Sequence, residues 1–185
     1  MARTPELVYA ELEADQRRVY DAIIAGPRGQ VQGPLKVWLQ SADLADRAQA
    51  LGAFCRFGTS LPPRLSELAI ITMGAHWRAA FEWFAHAPLA IKAGVDPAAV
   101  EAIRTGKAPT FAQADEAAVY SFAHELLTTR EVSDATYQEA LARLGKKGVV
   151  ELTGILGYYG LISMTIKAFE VPLPAGTADP FSDLP

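Results

Sequence analysis

One cysteine, Cys55, is all the sulfhydryl chemistry this 185-residue chain possesses. A lone thiol excludes an intramolecular disulfide, a Cys-x-x-Cys redox pair and a zinc site built on several thiolates. An excess of positive charge is missing too. Seventeen Lys+Arg stand against 21 Asp+Glu, a net charge of −4, without long runs of either sign, so nucleic acid is not an expected partner. The longest uncharged stretch, Leu152 to Ile166, falls short of the roughly 20 apolar residues that span a bilayer. The amino terminus, Met-Ala-Arg-Thr-Pro-Glu-Leu, has no apolar signal core. A soluble, cytoplasmic protein without membrane attachment is the expectation. Half the residues are apolar and 21% are charged, which suits one compact domain over 1–185. At this size roughly 70% of the unfolded chain's surface is buried on folding, so no metal staple is needed.

The periodicity is helical nearly throughout, and no convincing alternating strand appears, so the fold class is all-α. Leu12, Val19 and Ile23 mark a first helix, stopped by Gly26-Pro27. Gly33-Pro34 opens a short apolar turn to Leu39. Ser41 then suits an N-cap, with Leu44, Ala48, Leu51 and Cys55 as the inward stripe. Pro63 fits the first position of the next helix, where its missing N–H costs nothing. From Leu68 to Trp77 there is no formal charge, so burial almost all round is expected, with a weakening or end at Gly74. Pro88 should kink or break the following segment, Arg78 to Ala93. Asp96-Pro97 opens a short helix. Ala118, Val119, Phe122 and Leu126 make another stripe. Ser133 caps a helix that stops at Gly145, and Val149 to Phe169 forms a long apolar one. Residues 171–185, with four prolines, suggest an extended arm or a frayed end.

An internal echo aligns Glu67-Leu68 with Glu151-Leu152 and Ile71 with Ile155. An ancient duplication and a chance match of two apolar helices explain it equally well.

Among the three histidines, His124 sits beside Glu125 and suits a partly exposed surface. His76 and His86 border heavily apolar stretches, and a buried imidazole must find hydrogen-bond partners. Glu82, four residues before His86, shares its helical face. Glu67 borders the uncharged run, where the helix dipole favours a carboxylate by about 0.3–1 kcal/mol. Along one straight helix Glu67 and His86 would stand about 28 Å apart. A turn between Gly74 and Trp77 would instead set them opposite one another. Two carboxylates flanking an imidazole in an apolar pocket suit proton transfer.

Three blocks of this sequence now matter together: Ser66-Glu67-Leu68-Ala69-Ile70-Ile71, then His76-Trp77-Arg78-Ala79-Ala80-Phe81-Glu82-Trp83-Phe84-Ala85-His86, then Ala90-Ile91-Lys92-Ala93-Gly94-Val95. Together they resemble the carboxymuconolactone decarboxylase / alkylhydroperoxidase D-like (AhpD-like) family. The Gly33-Pro34 turn, Leu61-Pro62-Pro63-Arg64, Gly157-Tyr158-Tyr159 and Val171-Pro172-Leu173-Pro174 extend the resemblance over about residues 12–175. It implies an AhpD-like multihelical bundle. In peroxidase members of that family a Glu precedes Cys-x-x-Cys and a His. The Glu and His fall here on Glu67 and His86, and the two cysteines on Ala79 and Glu82. A thiol peroxidase needs a thiolate nucleophile and a resolving thiol, and neither position carries sulfur.

The decarboxylase branch has Glu-x-x-x-His without the cysteines, and Glu82 and His86 match it. By that resemblance His86 is the general acid/base, Glu82 its partner and Glu67 an orienting carboxylate. Arg78, one turn before Glu82, would hold an anionic substrate or be a solvated or salt-bridged surface residue, and Trp77, Trp83 and Tyr158 would line the pocket or pack in the core. The implied activity is a lyase on a small organic acid or lactone, of the kind used in aromatic compound catabolism, with no cofactor and no metal. The alternatives are a peroxidase-related oxidoreductase without the dithiol and a non-enzymatic small-molecule-binding scaffold. The resemblance also implies self-association, as a trimer or hexamer, with the Pro-rich arm reaching a neighbour.

Overall fold

The computed structural model describes residues 3–5 and 7–184. Among them there is no β-strand. The helices are α1 (Ala14–Ala25), α2 (Pro34–Trp38), α3 (Ala42–Ala53), α4 (Pro63–His76), α5 (Ala80–Lys92), α6 (Pro97–Arg104), α7 (Ala114–Thr129) and α8 (Asp134–Phe169).

Helix α4 is the axis of the molecule. Every residue from Leu65 to Gly74 is buried, as an uncharged run requires, and α5, α6, α7 and α8 all pack on it. Each fully buried Leu or Ile contributes about 1.5–3 kcal/mol of transfer free energy, and α4 supplies Leu68, Ile70 and Ile71. Arg64, in its first turn, ties it to α7 through ion pairs to Asp115 (2.8 Å) and Glu116 (2.9 Å).

Helix α8 holds a sharp break at Gly145, whose φ of 69° and ψ of 171° lie outside the helical region. Glycine reaches that conformation without a β-carbon clash. The helix Asp134–Phe169 is long and apolar enough to cross a membrane, but its most apolar window is 67% buried inside the protein. It behaves as a core helix. Trp38 of α2 donates from Nε1 to Thr165 Oγ1 at 2.8 Å, fixing α2 against α8.

Four expectations need correction. The α3 stripe is not the inward one: Leu44 and Leu51 are 44% and 49% exposed. Its buried face is Ala42, Ala45, Ala48 and Gly52, because small side chains let α3 lie close to its neighbours. A five-residue π-type turn, Phe54–Gly58, then closes it and buries Cys55. Gly74 does not end α4, which continues to His76. Pro88 lies inside an unbroken α5; the carbonyl it deprives belongs to Phe84, an exposed residue where water can serve as partner. Finally, the Pro-rich arm is not frayed, since Phe181 is buried edge-on against Trp83 at 5.5 Å. Arg104 grips the arm at the Pro180 carbonyl and Asp183. The arm therefore covers its own chain.

Candidate active site

The turn between α4 and α5 takes three residues. Trp77 closes α4, Arg78 adopts φ 46°, and the Ala79 N–H donates to the Gly74 carbonyl at 2.9 Å. With so short a connection α5 folds back along α4, and residues 19 apart in sequence meet. His86 Nδ1 lies 2.7 Å from Glu67 Oε2, and His86 Nε2 lies 3.2 Å from Glu82 Oε1. All three are buried, Glu82 and His86 at 3% and 4% exposure. Glu82 passes over Gly74, where a β-carbon would stand 3.4 Å from its Cγ.

Burial pushes the Glu82 carboxyl above the ordinary carboxylate range; His86 opposes the shift and Glu67 reinforces it. With Glu67 as the acceptor of an Nδ1–H, the imidazole presents Nε2 to Glu82. Glu82, disposed to stay protonated, faces that nitrogen. The Glu82 carboxyl and Nε2 of His86 thus face one another at 3.2 Å, with Glu67 behind the ring at Nδ1. That is the arrangement of a general acid/base pair. Glu67 and Glu82 address opposite nitrogens rather than a common point, and among the described residues no three His, Cys, Asp or Glu side chains are placed to share a metal ion.

Helix α8 closes the site. The Tyr159 ring meets His86 edge-on at 5.2 Å, and Tyr158 meets Tyr159 at the same distance. Arg28, from the loop after α1, donates from Nη2 to Tyr158 Oη at 3.1 Å. Tyr158 is pushed up to about 12 by burial, with Arg28 opposing, so it stays a neutral phenol. Gly52 makes room for this pair, since a β-carbon there would collide with both the Tyr158 hydroxyl and the Arg28 guanidinium.

The other expected site residues lie elsewhere. Arg78 sits in the turn rather than on α5, so it does not face Glu82; it borders a separate cleft of about 240 Å³ with His76 and His124. Trp77 is 38% exposed and packs beside His76. Trp83 faces Phe181 of the arm. Arg28, Gly52 and Tyr159 escaped the sequence reading. Tyr159 had a signal, because Glu151, Ile155, Tyr159 and Ser163 recur every four residues and are all buried. Arg28 had none, lying in a loop between Gly26 and Gly29.

Residues 42–125, which contain Glu67, Glu82 and His86, match the carboxymuconolactone decarboxylase family. Among proteins of curated function none matches the sequence. In solved structures the same fold recurs at low identity. A peroxidase-related protein from Silicibacter sp. TM1040 superposes with a TM-score of 0.74 at 13% identity, covering 94% of this chain and 92% of its own. A peroxidase-related protein from Ralstonia eutropha JMP134, described as an alkylhydroperoxidase AhpD core, gives 0.73 at 15%, covering 94% and 93%. A variant of the debrominase Bmp8, in complex with 2,3,4-tribromopyrrole, gives 0.74 at 14%, covering 95% of each chain. These three show that the matched segment sits in an AhpD-like helical fold. The family match and the helical neighbours agree with the resemblance read from the 66–95 block.

Proposed function

We infer that this protein is a cofactor-independent carboxy-lyase acting on a small organic acid or lactone. The observation that carries the reading is the buried Glu67–His86–Glu82 array, with contacts of 2.7 and 3.2 Å. In such a reaction the bond to the departing carboxylate breaks and CO2 leaves. The electron pair enters the substrate's own unsaturated system, and carbon then takes a proton from the Glu82–His86 pair. The protein's work is to hold the substrate, exclude water and supply that proton. A dithiol peroxidase has no support in the residues. Ala79 and Glu82 carry no sulfur, and burial pushes the Cys55 thiol up, away from the reactive thiolate.

The test is a mass-spectrometric screen of small unsaturated lactone acids and keto acids for loss of CO2, run beside a peroxide assay. Wild type and Cys55→Ser should release CO2 equally, and His86→Gln should release none. Peroxide turnover that disappears in Cys55→Ser, without any CO2 release, would replace this reading by the peroxidase one.

The same reading includes self-association. Leu51, Phe54 and Val150, the last 71% exposed, border a groove of about 560 Å³ rimmed by Lys146, Lys147 and Glu151. An exposed apolar surface carrying both charge signs suits a second copy of itself. Light scattering should give a mass above the 19.9 kDa of one chain, and Val150→Lys should lower it. A wild-type monomer at micromolar concentration would refute the assignment.

A further inference from the structure

Buried polar atoms in folded proteins almost always have hydrogen-bond partners, because leaving one unpaired costs about 1–3 kcal/mol. Among the described residues five buried side-chain atoms lack one: Arg28 Nε, Glu82 Oε1, Glu116 Oε1, Tyr159 Oη and Ser163 Oγ. Glu116 is ion-paired with Arg64, and Glu82 Oε1 faces His86 Nε2 at 3.2 Å. The other three are not scattered. Tyr159 touches His86, Arg28 reaches the adjoining Tyr158, and Ser163 follows Tyr159 by one turn of α8.

We propose that these unpartnered atoms frame a subsite for an oxygen anion of the substrate, a carboxylate held by Arg28 and the Tyr159 hydroxyl beside His86. The inventory of donors selects the ligand. The Arg28 Nε–H and the Tyr159 O–H are both donors, so the missing group is an acceptor. Arg28, together with Arg56 from the π-type turn, whose charge also reaches Glu82 and Tyr159, supplies the positive field that makes the acceptor an anion. A guanidinium fits a carboxylate with two parallel N–H···O bonds. Gly52 lets the Arg28 head lie against the Tyr158 hydroxyl, since any larger residue would displace it. Arg28 is half-buried in a surface loop with Gly26 and Gly29 on either side, so ligand reaches the interior by displacing its side chain from Tyr158. This subsite rests on the acid–base reading above, whose substrate it narrows to organic anions.

The test is direct binding, which does not need the reaction. Acetate, succinate and benzoate, with benzamide as the neutral counterpart of benzoate, are titrated calorimetrically into the full chain. Wild type should bind at least one carboxylate and bind benzoate at least tenfold more tightly than benzamide. Arg28→Gln should weaken carboxylate binding at least tenfold, and Arg28→Lys should restore part of it. Tyr159→Phe should weaken it several-fold while leaving the melting temperature unchanged or higher, because it deletes a buried hydroxyl that has no partner in the empty protein. His86→Gln should still bind. No carboxylate bound by wild type, equal affinity for benzamide, or an Arg28→Gln variant that binds as wild type does would each overturn the proposal. So would a Tyr159→Phe variant that melts lower with unchanged affinity, since that hydroxyl would then be structural. Carboxylate binding without CO2 release from any acid would sink the lyase reading and leave the subsite standing.

Discussion

Arg64→Met should destabilise the fold by about 3–5 kcal/mol, the usual result of stripping one partner from a buried ion pair. Glu116 sits at 5% side-chain exposure, 2.9 Å from the Arg64 guanidinium, and methionine would leave its carboxylate without a counter-ion. The neighbouring Asp115 suffers less, because its side chain is 31% exposed. The first turn of α7 also favours both acids through the helix dipole, which places the loss toward the lower end of the range. Urea unfolding at pH 7 measures it, and the double variant Arg64→Met/Glu116→Leu isolates the cause. If the unpaired charge is responsible, the second substitution restores most of the stability. The pH dependence follows from Asp115, whose carboxyl the Arg64 guanidinium holds below its ordinary range. A carboxyl depressed in the folded state stabilises the protein above its unfolded pKa, and that contribution fades as pH falls through the folded value. Wild type should therefore lose stability below about pH 4, and Arg64→Met should lose less of it there.

How far the sequence reaches into this architecture depends on whether a feature is periodic. The uncharged run of α4 has to be buried on every side, and that fact alone makes it the central helix. The meeting of Glu67 and His86 was also legible, because any turn near the midpoint of their separation pairs them; the actual turn falls at Trp77–Ala79, slightly later than Gly74 suggested. What failed was local. The Leu44–Leu51 stripe fits helical spacing perfectly well, yet α3 buries Ala42, Ala45, Ala48 and Gly52 instead, and at Gly52 the approach to Arg28 and Tyr158 leaves no room for a β-carbon. Arg78 looked one turn from Glu82 until its positive φ removed it from the helix. Arg28 reaches the site across 130 residues of sequence from a loop without pattern, and only the folded chain reveals it. The prolines of the carboxy-terminal arm left an extended arm and a frayed end equally open, since proline restricts an extended segment as readily as it ends a helix; Phe181 anchors the arm.

Glu82→Gln should separate activity from stability. Turnover is expected to fall about 10²–10⁴-fold, the range for loss of a general acid/base partner, while stability at pH 7 rises by about 0.5–2 kcal/mol, as when a strained functional group is removed. The sign follows from burial. In the unfolded chain this carboxyl ionises near its ordinary value of 4.5, whereas in the folded protein desolvation raises it. Below the unfolded value both states are protonated and the group favours neither. As pH climbs past it, the unfolded chain releases a proton that the folded protein keeps, so the folded state loses ground until the folded group ionises too. Glutamine has no proton to release, so the variant should lack this decline. Chemical denaturation at pH 4, 5.5 and 7 should show the two proteins alike at the acid end and diverging toward neutrality. A variant less stable than wild type at pH 7, with an unchanged pH slope, would mean that folded Glu82 is ionised and paired with His86 as an ordinary salt bridge. The proton would then have to sit on His86 alone, and Glu82 would no longer belong to the acid/base pair.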